Sequence, residues 1–255
     1  MKSPLRKRLP RELKSEFGKY LVVFIIMAIT IGFVSGFLVA DGSMLRAYDD
    51  SFQKYNIEDG YFQTKKKLTP AQKEDIEKSD VKVYENFYIE QKLTNGSTIR
   101  FFKNRKEVDK VCLMKGKMPK KSGEIAVDRM YADNNELKVG DTVKSRKKTF
   151  RITGLVALSD YSALFQNNND TMFDAVKFGV AIVTDKDFEA LNQVKVQYNY
   201  AWIYDKKPAT EKKEKKMAED LMEDMADVVT IESFVPQYQN QSIHFTPPSR
   251  HGCCT

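Results

Sequence analysis

The residues able to do chemistry are few, and their spacing suits little of it. The two histidines, His244 and His251, both lie near the C-terminal end. A Ser–His or Cys–His nucleophile needs its base inside the folded body, within hydrogen-bond reach. The three cysteines, Cys112, Cys253 and Cys254, give no disulfide framework, because two are sequence neighbours and the number is odd. Cys112 is expected as a small buried hydrophobe. His251, Cys253 and Cys254 are metal-ligating types, but they follow Pro247-Pro248 in a short tail that reads as a disordered end. No GxxxxGK[ST] phosphate loop occurs, so the chain is not expected to hydrolyse ATP itself. Glu219-Asp220 and Glu223-Asp224 are paired carboxylates on a charged helix face, where such pairs solvate. No catalytic, metal-binding or cofactor-binding set is expected.

One other constellation stands out. Tyr198, Tyr200, Trp202 and Tyr204 alternate along a strand and therefore share one sheet face. They could form a platform for an apolar or peptide ligand, or they could pack under neighbouring helices. Packing is favoured, because a sheet outside the cell needs a covered face.

The element that decides the class of protein is YLVVFIIMAITIGFVSGFLVA, residues 20–40. At 1.5 Å rise per residue it is roughly 30 Å long, the thickness of a bilayer's hydrocarbon core. A soluble domain rarely makes a helix apolar on every face. Gly32 and Gly36 stand four apart, as in close-packing membrane helices. Seven Lys and Arg, from Lys2 to Lys19, precede it against Glu12 and Glu16, and Asp41, Asp49 and Asp50 follow it. Basic flanks stay cytoplasmic, so the chain from residue 41 on is expected outside. A cleaved signal peptide is the rival reading, although its apolar region should be only about 7–15 residues. Either way the remainder is exported.

The chain has 255 residues, 42% hydrophobic and 30% charged, with net charge +7. Much of the basic excess sits before residue 20, and the rest alternates with acids. Nucleic-acid binding is not expected, since no base-reading motif accompanies the charge. Arg11 to Lys19 could lie on the inner membrane surface through Leu13 and Phe17. Leu45, Tyr48, Phe52 and Tyr55 keep helical spacing, so residues 41–57 are expected to extend the membrane helix.

Strands and helices then alternate. Gly60 to Thr64 reads as a strand. Thr69-Pro70-Ala71-Gln72 is a helix start with a capping box. Val81 to Lys92 reads as one half-buried strand, with Glu85, Tyr84 and Tyr88 blurring its alternation. Asn95-Gly96 signals a hairpin into Thr98 to Phe102. Residues 104–176 are turn-rich, with strands at 124–127, 142–144 and 150–158 and a short helix at 129–134. Phe178 to Val183 is apolar on both faces, as in a central strand. Thr184 caps a helix, Tyr198 to Tyr204 is a strand, Pro208 opens a helix with an apolar stripe (Met217, Ala218, Leu221, Met222, Met225), and Val228 to Ile231 closes the fold.

Residues 113–156, LMKGKMPKKSGEIAVDRMYADNNELKVGDTVKSRKKTFRITGLV, resemble the signature of the periplasmic core domain of MacB/FtsX-type ABC transporter permeases. The matching residues are Gly116, Pro119, Gly123, Glu124, Ile125, Ala132, Gly140, Asp141 and Gly154, and they mark turns of the fold. The resemblance spans about residues 10–245. It implies an α+β chain with a cytoplasmic segment (1–19), a transmembrane helix (20–40) and a helical extension (41–57). A two-lobed extracytoplasmic domain follows, with a βαβ-type lobe (58–103 and 177–235) split by an inserted β-rich lobe (104–176). Residues 236–255 form an aberrant or disordered tail. The resemblance also implies a cell-membrane permease subunit that pairs with a separate ABC ATPase and a second permease chain. ATP-driven motion would pass through the first membrane helix to the outer domain. Three further membrane helices are expected in such a permease. PPSRHGCCT stands instead, which fits truncation or a shifted frame. The alternative is a membrane-anchored extracellular binding or sensing module.

Overall fold

The computed structural model describes residues 16–145, 148–161, 164–166, 170, 172–191 and 196–237, without the side chains of 38 and 41–49. The basic segment before residue 16 lies outside the described residues, as does the tail after 237 with His244, His251, Cys253 and Cys254. The chain divides into two units, Met1–Lys54 and Tyr55–Thr255.

The first unit is carried by helix α1, Phe17–Tyr55, which runs 39 residues without a break. Its stretch Phe17–Phe37 is long and apolar enough to cross a membrane, and none of it is buried. The residues after 40 continue the same helix.

The second unit is a mixed sheet with helices. Its strands are β1 (Gly60–Thr64), β2 (Val81–Glu85), β3 (Tyr88–Lys92), β4 (Thr98–Lys103), β5 (Cys112–Gly116) and β6 (Glu124–Asp128), then β7 (Thr142–Lys144), β8 (Thr149–Ala157), β9 (Phe178–Val183), β10 (Val196–Tyr204) and β11 (Ile231–Pro236). The helices are α2 (Pro70–Glu77), α3 (Arg129–Asn134), α4 (Asp185–Leu191) and α5 (Glu211–Val228). The sheet order is β11-β1-β10-β3-β4-β9-β6-β8-β5, with β2 also on β10 and β7 on β8. β9 lies parallel to β4 and antiparallel to β6, and every one of its residues is buried. That explains its unbroken apolar run, since both faces are covered.

Local signals act as their chemistry demands. The Thr69 side chain accepts from the Gln72 amide, and Gln72 reaches back to the Thr69 amide. Asp128 caps α3 through the amides of Met130 and Tyr131. The Asn95-Gly96 turn joins β3 to β4, with Lys92 opposite Thr98.

Three expectations need correction. Residues 81–92 are two strands. The chain bends at Asn86 and Phe87, β2 pairs with the second half of β10, and β3 pairs with its first residues and with β4. Buried Asn86 makes the bend by donating its amide to Asn199 O at 2.8 Å. Alternation therefore restarts after Glu85. Helix α5 starts at Glu211, where Thr210 accepts from the Lys213 amide, and it runs to Val228, so the closing strand is Ile231–Pro236. Cys112 is half-buried on the edge strand β5, where it accepts a hydrogen bond from Tyr55 Oη at 3.0 Å.

The apolar side chains form two cores. One joins Phe62, Leu68, Ile76, Val81, Val83, Tyr200, Trp202, Tyr204, Leu221 and Met225. The other draws on β3, β4, β6, β8, β9, α3 and α4. Residues 88–103 and 178–191 thus pack with residues 125–158. Backbone pairing is the reason: β9 lies between β4 and β6, so one layer of side chains serves all three strands.

Candidate functional site

The motif residues at positions 116–154 build a knot of backbone contacts. A Cβ on Gly116 would lie 2.3 Å from Thr153 O, and one on Gly154 would lie 2.6 Å from Lys117 O. Only glycine lets β5 and β8 meet this closely. Glu124 Oε2 accepts from the amides of Lys120 and Lys121 at 2.8 and 2.9 Å, closing the turn after Pro119. These contacts hold its carboxyl below the usual range. Asp141 Oδ2 accepts from the Lys138 amide at 2.8 Å beside Gly140. Ile125 and Ala132 are fully buried. Gly123 donates its amide to Asp187 Oδ2 at 2.8 Å.

The aromatic strand goes into a core. Tyr200, Trp202 and Tyr204 are buried, and Tyr198 packs half-buried against them. Trp202 stacks on Phe234 at 4.6 Å, and Tyr200 stacks on Phe62 at 5.2 Å. Tyr200 Oη accepts from the Leu68 amide at 2.8 Å. Three of the four rings therefore offer no surface to a ligand.

Tyr198 also lines a cleft of about 880 Å³. Phe87 and Tyr198 meet edge to face at 5.2 Å on one wall, and Phe188 stands on another. Lys67 and Lys103 lie 5.2 and 5.3 Å above the Phe87 and Phe188 rings. Their charges are met by Glu85 at 2.8 Å and Glu189 at 3.4 Å. The lining is amphipathic with mixed charge. Among the described residues, no group of three His, Cys, Asp or Glu side chains could hold a metal ion.

Two clusters were not visible in the sequence. Ser122 Oγ lies 2.6 Å from Asp187 Oδ1 and 2.8 Å from Lys148 Nζ, and Lys148 is ion-paired with the fully buried Asp187. A Ser–Lys nucleophile needs a neutral lysine. Here Lys148 is ion-paired and the Ser122 hydroxyl is bonded to the same carboxylate, so the trio acts as a clamp between the 120s turn, the start of β8 and α4.

The second cluster lies where the chain enters the sheet domain. Glu58, Asp160, and Arg105 with Asp109 come from three separate stretches and converge in the interior. Arg105 Nη1 donates to Asp160 Oδ1 at 2.6 Å. Burial, then the negative charges of Asp109 and Asp160, push Glu58 well above the usual carboxylate range, with Arg105 opposing. Burial and the Asp160 charge push Asp109 up to about 7. The only local sign was the Glu58-Asp59 pair between a helix and an apolar strand.

No known family model and no curated protein matches the chain. Among solved structures it is similar to the periplasmic region of MacB from Actinobacillus actinomycetemcomitans, with TM-score 0.37 and 13% identity over 66% of this chain and 83% of that one. It is also similar to the extracellular domain of the noncanonic ABC-type transporter YknZ from Gram-positive bacteria, with TM-score 0.36 and 12% identity over 70% of this chain and 98% of that one.

Proposed function

We propose that this chain is a membrane-anchored permease component of an ABC-type transporter, with its folded domain outside the membrane relaying motion. One observation carries the reading. An exposed apolar span continues without a break through the rest of α1 to Tyr55, the first residue of the sheet domain. A 39-residue helix is a rod of about 58 Å, so displacement at one end is delivered to the other. The basic residues before Tyr20 support an N-terminus in the cytoplasm. A separate ATPase subunit would act there, beside a second permease chain. In this reading the residues of the resemblance, Gly116, Pro119, Gly123, Glu124, Ile125, Gly140, Asp141 and Gly154, hold the turns of the moving domain and touch no substrate.

Protease added to intact cells tests the topology. Cleavage after residue 56 with a protected N-terminal fragment supports the reading, and a fully protected chain removes it. The neighbouring DNA tests the partner: an adjacent ATPase gene is expected.

The amphipathic cleft favours a second reading, a tethered binding module. In that case peptides of mixed charge would bind the full chain saturably, and Phe87→Ala would weaken binding.

A further inference from the structure

We infer that Glu58, Asp109, Asp160 and Arg105 form a proton-operated latch that locks the entry of the sheet domain, Tyr55–Asp59, onto the 104–110 segment while one proton is held, and loosens when that proton leaves. The geometry is that of a joint. The amides of Asp109 and Lys110 donate to Asn56 O and Tyr55 O at 3.0 and 2.8 Å. In return, the Glu58 amide donates to Asp109 Oδ1 at 3.0 Å, and Asn56 Nδ2 donates to Glu107 O at 2.7 Å. Both Asn56 and Asp109 are held in the left-handed region, at φ 50° and 45°. Residues other than glycine enter that region at a cost, which the surrounding bonds must offset. The segment leaving β11 joins as well, since Gln237 Nε2 donates to Glu58 Oε1 at 3.1 Å and the Gln237 amide donates to Asp59 O at 2.8 Å.

The charge does not balance without a proton. Glu58 and Asp109 are 1% and 0% exposed, and the side chains of Asp160 and Arg105 are 8% and 6% exposed. Three buried carboxyls thus face one guanidinium, with the Tyr161 hydroxyl beside it. Arg105 spends its single hydrogen bond among the described residues on Asp160, leaving Nε and Nη2 buried without partners. Asn86 Nδ2 is the other donor near Asp109, at 3.5 Å from Oδ2. Burying unpaired ions costs several kcal/mol each, so the closed joint retains a proton that the open joint releases. Closed, the joint binds more protons than when open. Its stability is therefore full at acid pH and falls as pH rises from about 4, the ordinary carboxylate value, through the raised values of Asp109, about 7, and of Glu58.

The latch stands independently of any transport role and is tested on the full chain in detergent micelles. Hydrogen–deuterium exchange is followed at residues 57–60 and 105–110 from pH 5 to pH 8, in wild type and in Glu58→Gln, with rates corrected for intrinsic pH dependence. One linked proton changes an opening constant about tenfold per pH unit. Wild-type protection should fall at least about tenfold between pH 5 and pH 7, while Glu58→Gln shows a much flatter profile. Core amides at 99–102 and 180–182 serve as the control and should stay constant. A flat wild-type profile, the same slope in Glu58→Gln, or an equal change in the control strands overturns the latch. The wild-type profile and its internal control decide the matter even if Glu58→Gln does not fold.

Discussion

Asp187 accepts from the Ser122 hydroxyl at 2.6 Å and the Gly123 amide at 2.8 Å, and it ion-pairs with Lys148. Burial alone would raise its pKa, but the Lys148, Ser122 and Gly123 contacts outweigh that and hold it below the ordinary value. The unfolded chain then binds more protons at low pH. The stabilisation is present above about pH 4 and is lost as pH falls through the depressed folded value. Asp187→Asn should cost about 1–3 kcal/mol near neutrality and flatten the acid limb of a melting-temperature profile. Trp202, the single tryptophan, offers a second test. A Cβ on Gly60 would lie 2.3 Å from its ring. Gly60→Ala should push the ring off Phe234, destabilise by about 1–3 kcal/mol and shift the tryptophan emission.

At the scale of elements, α2 is the cleanest case. Its cap is local, with Thr69 bonding the Gln72 amide and Gln72 answering. Thr69→Ala should cost about 1 kcal/mol in urea denaturation. Signals within six residues, such as this cap, the Asn95-Gly96 turn and the two-faced apolar strand 178–183, were legible because the deciding contact is local or is one of pure composition. The bend at Asn86 was not. Its cause is a bond to Asn199, far along the chain. Periodicity alone joined β2 and β3 and registered the break only as misplaced Glu85 and Tyr84. The start of α5 was displaced for a related reason: Pro208 is compatible with a first turn, but Thr210 has the side chain that caps it.

At the scale of the molecule, the span Phe17–Phe37 and the domain from Tyr55 onward have opposite surfaces. The span exposes its apolar side chains, with Met27 57% exposed near its middle, while the domain buries its own in two cores. A charge at the centre of a membrane helix costs roughly 2.5–3.5 kcal/mol on insertion scales. Met27→Arg should therefore move part of the chain from the membrane pellet to the alkali-soluble fraction, with Gly60–Pro236 still folded by circular dichroism. Equal retention of both forms would argue against a spanning helix.

Composition and spacing by themselves determined the long apolar helix, its charge asymmetry, the alternating elements and the turn glycines. Each of these follows from how a single segment meets water, lipid or its own backbone. Tertiary structure alone decided that the tyrosine strand is buried, that residues 88–103 and 178–191 share a core with residues 125–158, and that Glu58, Arg105, Asp109 and Asp160 meet at the entry to the sheet. Those outcomes depend on which strands become neighbours. Strand pairing brings together residues remote in sequence, and no local spacing records it.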